Sequence, residues 1–451
     1  MAKKKKEIEL PVVNSNNGVL EKPIGKITED AYLDFSSYIN CHRHLPLVSD
    51  GMKVSYRRLI YSAMQFPKNK LAPSTTLINY VANIHPHGLS SMNDMAAVLV
   101  KSGVFQGEGS FGFTEIDGVV NPPANERYTH IGLSDLYWEI MGDLVKEVPY
   151  SESPVGMPEP DYLPLPLPLG LFMKSLSSGM GVGIRMILPN FSPKSLYKAY
   201  INNNPQLLEP NVDLILDKEN SELERLWKTG KGRVVYSYKI SRQQSHDGKT
   251  EGILFETKDG CEIFTPKLSK FEKIETDGKV FVDNLTDINS NKLFIGRVPG
   301  AKGITIKDIE SIARKCCYDA TTYQLNVTDG KTAFRIPLYD WIDYTYKNYI
   351  QLVSEVNQKK IEKCKFDILV LEALPYVSDY ILNKNPKASD QEICKALELP
   401  QEVVEVVMSK PISYLRKNKD TAERVKTLKD KLKELKKFDP IKYTEEIINK
   451  L

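Results

Sequence analysis

Long apolar runs are missing from this 451-residue chain: no stretch of eighteen apolar residues occurs, so no transmembrane helix and no membrane partner are expected. Charge of one sign is missing too. Lys and Arg total 61 against 58 Asp and Glu, a net charge of +3, so a polyanion-binding surface must gather its positive charge on one face and balance it elsewhere. Lys3 to Lys6 are basic but no apolar segment follows, which excludes a secretory signal. The six cysteines (41, 261, 316, 317, 364 and 394) follow no framework spacing, so free thiols in a reducing, cytoplasmic compartment are expected. Gly248-Lys249-Thr250 lacks the upstream glycine of a phosphate-binding loop, Gln243 standing in its place, so no ATP site is expected in this chain. Gly107-x-Gly109-x-x-Gly112 matches the dinucleotide fingerprint letter by letter. Its context does not: a helix precedes it, and Asp117-Gly118 and two prolines follow where a helix should start. Cys41, His42, His44, His85 and His87 match no common zinc spacing, and no carboxylates cluster.

What is present is a chain long enough for about three domains, 41% hydrophobic and so able to build cores. Residues 1–28 read as a flexible tail. Helices are expected over Ala31–Ile39, Lys53–Met64, from an N-cap at Ser74 through Val81, over Ser90–Lys101 and over Leu133–Val148. The pair around His85-Pro86-His87-Gly88 has a helix-turn-helix shape, whose second helix would meet a nucleic acid. Gly107 to Pro123 suits a hairpin-like wing. Leu163-Pro164-Leu165-Pro166-Leu167-Pro168-Leu169 reads as an extended, buried connector. From about 195 to 335 the texture is β, with strands expected at Arg233–Ile240, Gly252–Thr257, Cys261–Pro266, Lys279–Asn284 and Thr322–Val327. From about 340 it is helical. Val425, Leu428, Leu432 and Leu435 form a coiled-coil seam opposite Ile350, Val353, Ile361, Ile368 and Leu371, with a small globular tip at 378–412.

The motif that organises the rest is Glu126-Arg127-Tyr128-Thr129. A tyrosine can form a covalent intermediate once its phenol is activated, and a neighbouring Arg both favours the phenolate and grips a phosphate bidentately. Around it, in order, stand Arg43-His44-Leu45-Pro46, Asp50-Gly51-Met52-Lys53, Arg57-Arg58, His85-Pro86-His87-Gly88, the 107–112 glycine turn and Ser177-Ser178-Gly179-Met180-Gly181-Val182-Gly183. In this order and spacing the chain resembles the breakage-reunion subunit of type IIA DNA topoisomerases, the group of the gyrase A subunit, its topoisomerase IV counterpart and the phage medium subunits. The resemblance is dense over residues 30–195 and diffuse beyond. In layout it is most like a phage medium subunit, without the DNA-wrapping β domain of the gyrase A subunit.

The resemblance implies an α+β multidomain protein: a flexible tail at 1–28, a winged-helix breakage-reunion domain at 29–194, a tower at 195–338, and a coiled coil with a dimerising exit gate at 339–451. It implies a symmetric dimer acting on double-stranded DNA with an ATPase/TOPRIM subunit, which would bind both the Mg²⁺ and the ATP. Tyr128 would be the nucleophile, with Arg127, His87 and Arg43 on the scissile phosphate. Lys53, Arg57, Arg58, His85 and Ser90 would contact DNA, and Met180 would wedge between base steps where the family usually has isoleucine. Such a wedge costs a few kcal/mol per step, and smooth bending costs about 1–6 kcal/mol. Ser90 and Asp94 match the quinolone-anchoring positions. The chain departs from the pattern at Val54, Tyr56, Asn83, Leu89 and Asn93. Relaxation and decatenation are the expected activities; a non-catalytic DNA-binding scaffold and a metal-dependent nuclease are the alternatives.

Overall fold

The structure, a computed structural model, describes residues 23–86, 88–114, 120–173, 178–245, 248, 250–257, 275, 278–286, 290–316, 318–409 and 421–451. Helices lead, and the first is unusual. Helix α1 spans Ile24–Ile39 and buries none of its residues. It begins inside the segment expected to be tail; residues 1–22 lie outside the described residues. A five-residue π turn, Asn40–His44, continues it, closed by a hydrogen bond from the Leu45 N–H to the Asn40 carbonyl (3.1 Å).

Helix α2 (Val54–Ala63) follows, then strand β1 (Ala72–Pro73), α3 (Ser74–Ile84) and α4 (Leu89–Lys101). Leu59, Ile60 and Ala63 of α2, Leu77, Ile78 and Val81 of α3, and Met92, Ala96 and Leu99 of α4 meet in one core. The helix-turn-helix shape is there. Ser74 is not the cap, however: Pro73 holds the N-cap position, and the buried Ser74 hydroxyl accepts from Thr129 Oγ1 at 2.7 Å.

Strands β2 (Phe105–Glu108), β3 (Phe113–Thr114), β4 (Val120–Asn121) and β5 (His130–Leu133) follow. One three-stranded antiparallel sheet runs β1-β5-β2, with Phe105 opposite Leu133 and Ala72 opposite Ile131, and β3 pairs β4 as a small hairpin. Strand β2 carries the first of the 107–112 glycines, where a helix is expected to precede them, and strand β3, not a helix, follows. Helix α5 covers only Asp135–Met141 of the helix expected to reach Val148. It stops at Gly142, a poor interior helix residue, and a short 3₁₀ turn at Leu144–Lys146 takes over.

Strands β6 (Tyr150–Glu152) and β7 (Pro158–Pro160) form the next hairpin. The leucine-proline stretch after it is a buried connector, as expected, with Leu163, Leu165, Leu167, Leu169 and Leu171 at most 2% exposed. It lies against Gly51, whose φ of +71° and lack of a side chain let Leu169 N–H and Gly170 N–H bond the carbonyls of Asp50 and Gly51. A Cβ on Gly51 would sit 2.7 Å from Pro168 Cβ.

Then β takes over: β8 (Ser178–Met180), β9 (Arg185–Ile187), α6 (Pro193–Ile201), β10 (Leu214–Leu216), α7 (Leu223–Thr229), β11 (Lys231–Gln244), β12 (Glu251–Thr257), β13 (Val280–Asn284), β14 (Asn291–Arg297), α8 (Ile306–Cys316), β15 (Tyr318–Gln324), β16 (Asn326–Thr328) and β17 (Ala333–Arg335). An eight-stranded antiparallel sheet runs β13-β14-β12-β11-β15-β9-β8, with β10 also on β11. The fourteen-residue β11 binds it together: its first half pairs β15, its second half β12. Strand β14 and helix α8 are additions to the elements expected from sequence, and the strand expected at Cys261–Pro266 lies outside the described residues.

Helix α9 (Leu338–Asp379) is 42 residues long. Helices α10 (Asp390–Leu397) and α11 (Gln401–Met408) form the tip, α12 (Thr421–Lys437) returns, and α13 (Pro440–Lys450) docks at the base. Asn357 bonds the Leu435 carbonyl, Cys364 the Leu428 carbonyl, and Lys429 pairs Glu372, so α9 and α12 run antiparallel. Val425, Leu428, Leu432 and Leu435 are the half-buried stripe of α12. The tip has a core of its own, in which Val370, Leu374 and Val377 meet Ile393, Val403, Val404 and Val407. The base is tied to the first core by Trp341, whose buried indole donates to the Val48 carbonyl at 2.8 Å. No described helix is long and apolar enough to cross a membrane.

Candidate functional site

Tyr128 closes a 3₁₀ turn, Glu126–Tyr128, that leads into β5. Its shoulders are fixed. The Asn125 side chain accepts from the Arg127 N–H (3.3 Å), and the Tyr128 N–H donates to the Asn125 carbonyl (2.9 Å). Thr129 is 1% exposed and holds Ser74 through both hydroxyl and backbone. Asn93 of α4 donates to the Ala124 carbonyl (3.1 Å). Gly109, at φ +113°, lets β2 pass under the turn, since a Cβ there would lie 2.8 Å from Thr129 Cγ2. From this rigid base the Tyr128 ring projects 65% exposed, with the Arg127 guanidinium carbon 4.8 Å from its centroid. At an exposed site such a cation–π contact contributes about 0.5–1 kcal/mol. It parks the guanidinium beside the phenol without burying either.

Arg57 and Arg58 correct an expectation. The motif assigns both to backbone-phosphate contacts, yet both are buried and internally paired. Arg57 forks onto Asp50 (Nε to Oδ2 2.7 Å, Nη2 to Oδ1 3.3 Å), and Asp50, fully buried, also accepts the N–H groups of Met52 and Leu163. Arg58 forks onto Glu159 of β7 (Nε to Oε2 2.7 Å, Nη2 to Oε1 2.8 Å). A bidentate guanidinium–carboxylate pair is the strong form of this contact, and stripping one partner leaves a buried charge. These arginines brace α2 against the connector and the β6–β7 hairpin.

In front of them is a cleft of about 520 Å³, lined among others by Arg43, Arg58, His85 and Glu159. Arg43 is exposed on the π turn. His85 ends α3 and is half-buried. Burial first, then Arg58 and Arg43, hold its imidazole below the ordinary histidine value, with Glu159 opposing. His44 is lowered likewise, by burial and then by Lys53 and Arg43. Arg43, Arg58 and His85 share this cleft with the carboxylates of Glu152, Glu159 and Asp161. His87 lies outside the described residues.

Lys53 is half-buried and its ammonium donates to the Ser178 carbonyl at 2.6 Å, so it holds the β8–β9 hairpin; burial pushes its pKa below the ordinary value. Met180 ends β8, opposite Arg185, and is 73% exposed, which rules out a core methionine. The glycines flanking it press on the π turn. A Cβ on Gly179 would lie 2.5 Å from the His44 carbonyl oxygen, and one on Gly181 2.0 Å from Asn40 Oδ1.

Ser90 and Asp94 are exposed on the first turns of α4. Burial, and then Asp94, push the Tyr56 phenol up to about 12, so Tyr56 is a neutral neighbour there. Sequence reasoning missed Asn40 and the carboxylates of Asp50 and Glu159. Asp50 stands inside a motif already singled out. Glu159 and Asn40 carry no signal, because their partners are 101 and 142 residues away. Among the described residues no three His, Cys, Asp or Glu side chains group to hold a metal ion.

Comparison with known proteins gives these features a context. Residues 43–255 match the family model for the A subunit of DNA gyrase/topoisomerase IV. The DNA gyrase A subunit of Buchnera aphidicola is 26% identical over 263 residues, covering 52% of this chain and 31% of that protein. The DNA gyrase A subunit of Brachyspira hyodysenteriae is 21% identical over 459 residues, covering 93% of this chain and 53% of that protein. The DNA topoisomerase 4 A subunit of Streptococcus pneumoniae is 28% identical over 245 residues, covering 49% and 29%. The chain spans between about a third and about half the length of the curated relatives it matches. Residues 43–255 are thus similar to the A subunits of DNA gyrase and topoisomerase IV.

Proposed function

We propose that this chain is the DNA-cleaving and rejoining subunit of a type II DNA topoisomerase, working as a dimer. The observation that carries the reading is the Arg127–Tyr128 turn: an exposed phenol on a rigid base, with a guanidinium over its ring, inside the family-matched segment. Tyr128 Oη attacks a backbone phosphorus. The Oη–P bond forms as the P–O3′ bond breaks, and the phenolic proton is lost to solvent or a base while the 3′-oxygen leaves and is protonated. The DNA 5′-phosphate is then held on the protein as a phosphotyrosine diester. Resealing is the reverse step, so the bond energy is kept and strand closure needs no nucleotide. Arg127 meets the charge that builds on the phosphoryl oxygens, and Arg43 and His87 hold the same phosphate.

On this reading residues 29–194 are a winged-helix gate, 195–338 a tower, and 339–451 a coiled coil ending in an exit gate. Lys53, His85 and Ser90 contact the duplex, and Met180 enters it. Mg²⁺ and ATP are bound by an ATPase/TOPRIM partner subunit. Relaxation and decatenation with the genome in the cytoplasm are the expected outcome.

The test is transfer of internal radiolabel from supercoiled DNA to protein, with Mg²⁺ and the partner subunit, for wild type and Tyr128→Phe. A denaturant-trapped adduct on the wild type alone is expected. An adduct on the mutant names another tyrosine, and none on either makes the chain a DNA-binding scaffold.

A further inference from the structure

The β8–β9 hairpin is held at its tip by a side chain that no comparison assigns. Asn40 sits where α1 gives way to the π turn. Its Nδ2 donates to the Val182 carbonyl (3.1 Å), and its Oδ1 accepts the Val182 N–H (2.8 Å). One carboxamide thus satisfies both backbone groups of one residue, the pattern a neighbouring strand would supply. The fit is close because Gly181 has no side chain to hold the carboxamide away. Asn40, still in α-helical conformation at the end of α1, faces the hairpin, while Arg43, three residues on within the π turn, lines the cleft.

The opposite side of the hairpin is secured through β9. Its Arg185 carbonyl accepts from Asn326 Nδ2 (2.6 Å), and Ile187 pairs Gln324 of β15 within the eight-stranded sheet. Lys53 holds the base at Ser178. The tip, residues 181–183, has the Asn40 contact and the Gly181 N–H to Ile184 carbonyl bond within its own turn (2.9 Å). Met180, immediately before it, is the exposed apolar group.

We infer that Asn40 is the positioning residue of the Met180 hairpin: its carboxamide fixes the tip so that Met180 stands rigidly toward the duplex. This rests on the reading of the chain as a DNA gate. A side chain that must separate stacked base pairs does so only if the backbone behind it does not yield. A glycine-flanked turn without that brace would fold back instead of transmitting force. Asn40 is only partly buried, at the junction of the π turn with α1, a helix that buries none of its residues, so its replacement is expected to leave the fold intact.

The experiment uses the full chain and a short duplex carrying donor and acceptor dyes at its ends, with amide hydrogen exchange at Val182 measured on the DNA-free protein. Losing both hydrogen bonds of the carboxamide reduces the ordered tip population by about tenfold or more. Asn40→Ala is therefore expected to cut the bent fraction about tenfold and to speed Val182 exchange by a similar factor. Met180→Ala should cut bending to the same degree without touching Val182 exchange. Asn40→Asp keeps the acceptor for Val182 N–H but loses the donor, and should fall with Asn40→Ala. If Met180→Ala abolishes bending while Asn40→Ala keeps it, the positioning role is wrong and the gate reading stands. Unchanged Val182 exchange in Asn40→Ala also overturns the role. Full bending by Met180→Ala, or none by the wild type, overturns both.

Discussion

Two arginine pairs in this molecule have the same prospects from sequence and meet opposite fates. Arg57 and Arg58 are adjacent on α2, each closed onto a carboxylate and about nine-tenths buried at the side chain. Arg43 and Arg127 lie on short turns, exposed to solvent. Breaking a largely buried, bidentate guanidinium–carboxylate pair to meet a phosphate costs several kcal/mol. An exposed guanidinium on a turn carries no such cost. Membership of a phosphate-binding motif therefore says that an arginine is needed there, not which of two jobs it does, bracing or gripping.

The largest effect expected is on the bracing side. Asp50→Ala removes the partner of Arg57 and the acceptor for Met52 and Leu163 N–H at once. It should lose about 3–5 kcal/mol of stability, read as a lowered denaturant midpoint; a loss below about 1 kcal/mol would make the pair ornamental. Next comes the gripping side. Arg127→Ala should leave stability within about 0.5 kcal/mol and lower the cleavage rate about 10²–10³-fold. A destabilised Arg127→Ala would erase the distinction between the two pairs.

The smallest effect concerns the histidines among these cations. His44 and His85 are both held below the ordinary value of 6.5 in the fold. The unfolded chain then binds more protons than the native one as pH falls below that value, so stability drops until the folded pKa is passed and then levels off. Urea midpoints at about pH 7.5 and about pH 5.5 should differ in the wild type and differ less in the His44→Gln, His85→Gln double variant. An equal pH slope in both would place the destabilising protonation elsewhere.

Much of this is legible in the sequence because it is local. The period of apolar residues points to α2 and α4, the alternating leucines and prolines to the buried connector, and the 3-4-3 leucine spacing of α12 to the antiparallel seam. Local chemistry also rejects the dinucleotide fingerprint. What is not legible depends on pairing across distance. Glu159 reaches Arg58 only because a hairpin folds over α2. Asn40 reaches Val182 only because the β8–β9 hairpin packs against the end of α1. Strand β14 escapes notice because its neighbours β12 and β13 are what make a strand of Asn291–Arg297. Helix α8 is hidden in a stretch of β texture. The start of α1 is obscure for a related reason: with no core behind it, nothing in its apolar pattern distinguishes helix from tail.

The glycines at 179 and 181 constrain how this protein can change. A side chain at 179 would collide with the His44 carbonyl, so the backbone of the π turn would have to move, and one at 181 would displace the Asn40 carboxamide. Position 180, between them, faces open solvent and meets no such barrier. On the DNA-gate reading proposed above, swapping Met180 for a bulkier or slimmer apolar side chain would retune the depth of the wedge in a single mutational step.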